Sequence, residues 1–406
     1  MIFKIAWRNI WRSPIRSLVV LSSIAIGIWA GVLIIGFAFG MNNERTASAI
    51  GSTLGHAQIH SKGYLVDPKA SEVISPKRLE VIENILKSDS RVVGTLDRAV
   101  FQTMVAAPKT VRASRLLAVN AEKERSLTTI ANYMVEGNFF EDAPRKGIVI
   151  SQKLSERLGV GLNKKLVLTF QDHNGTLQKV AFRVSGIYKT LNAAWDELNV
   201  YVQSEDLEKI LGQKLVHEMV LRYAQTDETD AVTESIAAYM PKDVEIRSWK
   251  VNSPELGYAD QMMGIMLVLV LGIIMLALLF GIINNMLMAI LERRRELGML
   301  MAVGMNKLKL FTMILLETLL LGIVGGPIGI LLGDLTIRAL MDIGINLSDK
   351  QDGLAKLGVQ SVIYPEIVPE YYLIVAVMVV VTALIAAILP AIKALKLNPV
   401  QAIRGE

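Results

Sequence analysis

Four apolar runs, each long enough to cross a bilayer, constrain this chain more than any other feature. They occupy 17–41, 262–291, 310–335 and 371–390. About 20 apolar residues in a helix span roughly 30 Å of hydrocarbon. The first run holds Leu18, Val19, Val20, Leu21, Ile24, Ile26, Trp29, Leu33, Ile34 and Ile35 and carries no charge. Of the 406 residues, 20% are charged and 52% hydrophobic, where a soluble chain has about 25% charged. The excess collects in the four runs, so it points to membrane spans and not to a rich soluble core. A cleaved signal peptide is a poor match for the first run, because the patterned basic segment before it is 16 residues long and no small-x-small site follows near Met41. The absence of cysteine excludes disulfides and thiol catalysis.

Basic residues orient the spans. Lys4, Arg8, Arg12 and Arg16 precede the first; Arg293, Arg294, Arg295, Lys307 and Lys309 lie between the second and third; Lys393, Lys396 and Arg404 follow the fourth. Together they number 12, against the three acids Glu292, Glu296 and Glu406, while 42–261 holds 28 charges of each sign. The positive-inside rule then places both termini and the 292–309 loop in the cytoplasm, and 42–261 with the 336–370 loop outside. A net charge of +5 distributed this way gives no reason to expect nucleic acid.

Residues 1–16 repeat with a period of four. Lys4, Arg8, Arg12 and Arg16 form one row, and Phe3, Trp7 and Trp11 a neighbouring one. On a helix these rows meet lipid headgroups and the interface, so the segment reads as an amphipathic elbow helix, with Pro14 marking the turn into the first span. Residues 42–261 alternate strand and helix signals: strands at 55–60, two short runs in 91–105, 147–150, 165–170, 179–187, 199–202 and 218–223; helices at 76–87, 151–158, 204–211 and 229–239. Asn174-Gly175 is a hairpin turn signal. Ser75, Ser151 and Ser204 read as N-caps. The fold class is therefore an α-helical membrane protein with four transmembrane helices and a large extracytoplasmic α+β domain. His56 and His60 are four apart, but in a strand-like setting without a third ligand, so no metal site is expected.

The cytoplasmic segment 292–309 carries the strongest interaction signal. The second span continues into Glu292-Arg293-Arg294-Arg295-Glu296-Leu297-Gly298, and Gly298 and Gly304 are positioned to bound a short helix. Met299, Leu300, Met301 and Val303 then give an apolar side beside a charged shoulder, which suits a helix docked in a partner's groove. Glu317, inside the third span, must find a partner or protonate. Its position suits a structural bond, either toward the elbow helix or at a helix junction. Gly322/Gly326 and Gly325/Gly329 are small-xxx-small pairs that let helices approach closely, Pro327 is placed to bend that span, and Asp334 and Arg338 are spaced to pair.

The opening Ala6-Trp7-Arg8-Asn9-Ile10 with Arg12 and Arg16, the 292–304 segment, the third span with Glu317, Gly322, Gly325, Gly326 and Gly329, and the ending from Pro390 through Asn398-Pro399-Val400-Gln401-Ala402-Ile403-Arg404 resemble the FtsX/MacB/LolC/LolE-type ABC transporter permeases. So do 135–140, 147–150, 158–160 and 184–187 in the outer segment. The length and the 55–60 segment are most similar to the lipoprotein-releasing branch. The resemblance implies a bacterial inner-membrane, multi-pass permease, with a porter-like α/β part carrying an inserted mainly β part near 145–205. It makes Glu292, Arg293, Arg294, Arg295, Glu296, Leu297, Gly298, Leu300, Met301 and Gly304 a coupling helix for an ATPase. It implies two copies of a cytoplasmic ABC ATPase, a second permease copy or paralogue, and a periplasmic carrier or adaptor, all working by mechanotransmission. No P-loop occurs in these 406 residues, so ATP and Mg are expected on the partner and no cofactor on this chain. That departs from members with a fused ATPase, and the four spans depart from ten-span members. Lipoprotein extraction is the expected role; efflux of peptides, toxins or drugs, and signalling to a cell-wall hydrolase or sensor, are the alternatives.

Overall fold

The computed structural model describes residues 2–141, 146–350, 353–354, 359 and 362–396. The 398–404 ending, Glu406 and the side chain of Arg16 lie outside the described residues. Two compact units emerge, a helical one drawn from 1–41, 261–346 and 362–406 and an α/β one from 42–260 and 347–361.

In the helical unit, α1 (Ile2–Arg12) breaks at Ser13 before α2 (Pro14–Ala49). A proline is tolerated in a first helical turn, where its missing N–H has no intrahelical partner, but it disfavours helical geometry in the residue before it. Ala6 and Ile10 are buried and pack α1 on the third span, whereas Phe3, Trp7 and Trp11 stay exposed. Past the apolar run, α2 ends in a π-helical turn, Ile50–Leu54, with all five residues buried. Gly55 closes it at φ +66°, and a Cβ there would stand 2.8 Å from the Leu221 carbonyl oxygen, so the position requires glycine.

The α/β unit follows in the order β1 (Ala57–Ser61), α3 (Pro76–Lys87), β2 (Val92–Ala106), β3 (Val111–Val119), α4 (Ala121–Leu127), β4 (Met134–Gly137), β5 (Gly147–Ser151), α5 (Gln152–Leu158), β6 (Lys165–Gln171), β7 (Leu177–Tyr188), α6 (Ala193–Leu198), β8 (Asn199–Gln203), α7 (Ser204–Leu211), β9 (Glu218–Tyr223), α8 (Thr229–Ala237), β10 (Val244–Ser248) and α9 (Trp249–Asn252). The ten strands form one sheet, ordered β10-β1-β9-β2-β3-β8-β5-β7-β4, with β6 joined to both β2 and β7. The two short runs expected in 91–105 are a single strand. β2 pairs with β9 over its first half, then with β3 and β6 over its second, and the register shifts between Val92 and Gly94. The Asn174-Gly175 turn joins β6 to β7, with Asp172 accepting from the backbone N–H of Asn174 and Thr176. Ser151 caps α5 through Leu154 N. Ser75 holds the N-cap position of α3 before Pro76 but makes no side-chain cap bond, and Ser204 is not a cap. The Ser75 carbonyl, not its hydroxyl, takes the first-turn N–H groups of Arg78 and Leu79. Ser204 is already helical, and Glu205 and Asp206 complement the α7 dipole. The 145–205 segment supplies β5 to β8, whose Ile148, Leu166, Phe182 and Val200 pack with Phe101 and Leu116.

A charged cluster lies inside this unit. Arg98, on β2, is fully buried, with Nε 3.3 Å from Glu124 Oε2 and Nη1 3.4 Å from Glu218 Oε1. Its Nη1 also donates to the Thr53 carbonyl in the π turn at 2.7 Å. Arg222, on β9, donates to the Ile50 carbonyl at 3.0 Å, and Thr129 N to that of Gly51 at 2.9 Å.

Three buried histidines set an acid limit for the same unit. Desolvation, then the charge of Arg222, pushes His56 down to about 4, and desolvation chiefly depresses His60 and His217. Such imidazoles are neutral when folded and gain protons on unfolding. Their stabilisation is therefore complete above pH ~6.5 and is lost as pH falls toward 4. Asp196, raised to about 6 by burial, acts in the opposite sense. The melting temperature of the full chain in detergent is expected to drop between pH 7.5 and 5, His56 alone contributing about 2 kcal/mol of that loss. His56→Asn should flatten the slope, and a melting temperature independent of pH would contradict this account.

The chain returns to the helical unit through α10 (Pro254–Glu292), α11 (Arg294–Ala302), α12 (Lys307–Ile343), the short pair β11 (Ile345–Asn346) and β12 (Val362–Ile363), and α13 (Pro369–Leu395). With α2, the helices α10, α12 and α13 are, among the described residues, the four long and apolar enough to cross a membrane. The glycines of α12 divide between two neighbours: Gly325, Gly329 and Gly333 face Ile24, Ala25, Ile28 and Val32 of α2, and Gly322 and Gly326 face Val379 and Ala383 of α13. A Cβ on Gly329 would lie 2.7 Å from the Ala25 carbonyl oxygen, so α2 and α12 touch backbone to backbone there. Asp334 accepts from Arg338 Nε and from Tyr372 on α13, both at 2.8 Å.

Candidate coupling site

Helix α10 stops at Glu292 because Arg293 leaves helical geometry, at φ −97° and ψ 15°. The nine residues of α11 follow and end at Ala302, with Val303 as C-cap, after which Gly304 takes φ +99°. Gly304 bounds the helix as expected. Gly298 does not; it lies mid-helix and buried beside Leu297, on the face packed against the bundle. The helical continuity expected through 292–298 is likewise broken at Arg293, whose side chain turns to Glu296 of α11 and Glu317 of α12.

Those acids join three helices. Arg12 of α1 holds both oxygens of Glu296, at 2.8 and 3.0 Å. Arg293 Nε lies 3.5 Å from Glu296 Oε2, and its Nη1 3.2 Å from Glu317 Oε1 on α12. Glu317 thus bonds at a helix junction, and the elbow helix is reached through Glu296. The bond between Arg12 and Glu296 joins residues 284 apart, and no spacing in the sequence signals it.

The faces of α11 are now separable. Leu297 and Gly298 are buried, Met301 is half-buried against the bundle core, and Arg293 and Arg294 are partly covered. Glu292, Arg295 and Gly304 are exposed. Met299, Leu300 and Val303 are exposed at 52%, 37% and 89%, flanked by exposed Lys307, Leu308 and Lys309. This is an apolar knob with a basic rim, the pattern by which a helix enters a groove. On α1, Lys4 and Arg8 are exposed, and Trp7 stacks edge-on with Trp11 at 6.0 Å. Among the described residues no cluster of three metal-ligating side chains occurs.

Two family models match the chain: one described as the MacB-like periplasmic core domain over residues 17–239, the other as the FtsX-like permease C-terminal over 268–399. An uncharacterised ABC transporter permease of Methanocaldococcus jannaschii is 25% identical, covering 100% of this chain and 98% of that protein. A probable syringafactin export ATP-binding/permease protein of Pseudomonas syringae is 24% identical over 81% of this chain and 50% of its own length. A pyoverdine export ATP-binding/permease protein of Pseudomonas fluorescens is 23% identical over 99% of this chain and 59% of its own. The chain therefore spans about half the length of these two exporters.

Proposed function

Since the chain belongs to the MacB- and FtsX-like ABC transporter permeases, we propose that it is the mechanically driven membrane subunit of an exporter, powered by an ATPase that docks on α11. The observation that carries this is the α11 knob, exposed on one face and tied through Arg293 to Glu317 of a membrane helix. A push on Met299, Leu300 and Val303 reaches α12 through that bond and α1 through Glu296. The charge bias of the sequence supports a cytoplasmic location for α11 and both termini in a bacterial inner membrane. The names of two relatives as ATP-binding/permease proteins support a nucleotide-hydrolysing ABC ATPase as the kind of partner, and the family resemblance implies two copies of it around a permease pair.

For cargo, the named export relatives favour efflux of a small molecule or peptide through a periplasmic adaptor over the lipoprotein extraction expected from sequence. Purification of the tagged chain from membranes in mild detergent tests both levels. Retention of an ATPase with a membrane-fusion adaptor is the expected result. Retention of an ATPase with lipoproteins would restore extraction, and no ATPase at all would overturn the coupling role.

A further inference from the structure

The geometry points to a lipid-sensing contact: α1 binds anionic phospholipid headgroups, and their phosphates compete with Glu296 for Arg12, so that membrane charge sets how firmly α11 is held to α1. The functional meaning rests on α11 as the docking helix; the binding and the release do not, and can be read without an ATPase.

Each face of α1 has a different neighbour. Ala6 and Ile10 are taken by the bundle. Phe3, Trp7 and Trp11 are exposed, and Ile15, Leu18 and Val19 continue that apolar strip onto α2 at the start of a membrane span. An apolar strip running into a span, with tryptophans at its head, belongs at a bilayer surface, which selects lipid over a protein partner. The third face is cationic. No acidic residue occurs in Ile2–Arg12, and among the described residues Lys4 and Arg8 form no ion pair. Arg12 continues their row but is engaged with Glu296.

That engagement is replaceable. The Arg12 side chain is 64% exposed and that of Glu296 35%. An ion pair this open to solvent is weak and screened by salt. A phosphate offers the same bidentate acceptor geometry as a carboxylate, and Lys4 and Arg8 concentrate it beside Arg12. Once Arg12 turns to lipid, α11 loses its bond to α1 and keeps the one from Arg293 to Glu317.

The full chain in nanodiscs provides the test, and its lack of cysteine permits a single spin label at Arg295→Cys. Tryptophan quenching by brominated phosphatidylglycerol, compared with brominated phosphatidylcholine, reads headgroup preference at α1, with Trp7→Phe/Trp11→Phe identifying the responsible signal. Enrichment of the anionic lipid on the order of tenfold is expected, lost in Lys4→Gln/Arg8→Gln. The label on α11 should become more mobile with phosphatidylglycerol, whereas Arg12→Gln and Glu296→Gln should be mobile in both lipids. Equal quenching by the two lipids would overturn the binding. Enrichment with an unchanged label would overturn the competition for Arg12.

Discussion

Replacing Arg98 with methionine is expected to destabilise the α/β unit by about 3–5 kcal/mol, a large part of the 5–15 kcal/mol that holds a typical domain together. The cost comes from what stays behind. Glu124 and Glu218 are as buried as Arg98 itself, and without the guanidinium they are carboxylates inside a sheet core. Burial alone pushes Glu218 up, yet Arg98 and Arg115 hold it below the ordinary carboxylate range, so the arginines outweigh desolvation. The Thr53 carbonyl loses its donor in the same step. Combining Arg98→Met with Glu124→Gln and Glu218→Gln should recover most of the loss, because the uncompensated charges go with it. Thermal melting and protease resistance of the full chain in detergent measure both variants. A single Arg98→Met variant as stable as the parent would show that the cluster is not holding the fold.

Val303→Asp and Leu300→Asp are each expected to weaken association with the proposed ATPase by about a hundredfold while leaving the chain inserted and folded. Both side chains are exposed, so their cost to folding should stay within about 0.5 kcal/mol. In a desolvated groove an unpaired carboxylate costs far more; a loss of ~3 kcal/mol weakens binding by about a hundredfold. Met301→Asp is the contrasting change. Met301 lies half-buried against the bundle, so it should lower the melting temperature as well as coupling, and it cannot separate the two. Co-purification and nucleotide hydrolysis by the assembled complex provide the readout. Normal assembly with either exposed-face aspartate would place the docking surface elsewhere.

The membrane spans were legible because a bilayer imposes a length and a composition that few other environments require. Pro14, the Asn174-Gly175 turn and the glycines of α12 were legible for a local reason: each serves a backbone geometry that only a few residue types accept. The long strand β2 was read as two runs because Gly94, Asp97 and Arg98 interrupt its apolar pattern. Only its neighbours, β9 along one half and β3 with β6 along the other, explain why it continues. At the candidate site the apolar cluster 299–303 was visible, but which members face outward was not. A nine-residue helix bounded at Arg293 presents different residues from one bounded at Gly298. The cluster around Arg98 left no trace in the sequence, since Glu124 and Glu218 lie 26 and 120 positions away.

The π turn at Ile50–Leu54 has a mechanical consequence. Its carbonyls are seized by Arg98 from β2 and Arg222 from β9, two paired strands, and by the backbone at Thr129. A joint fastened at one point swivels; one riveted at three does not. Tension or torque carried along the last turns of α2 therefore enters two adjacent strands at once and is borne by their hydrogen bonds in parallel. The sheet is loaded as a plate, not peeled from an edge, so the end of α2 behaves as a drive shaft keyed into its hub.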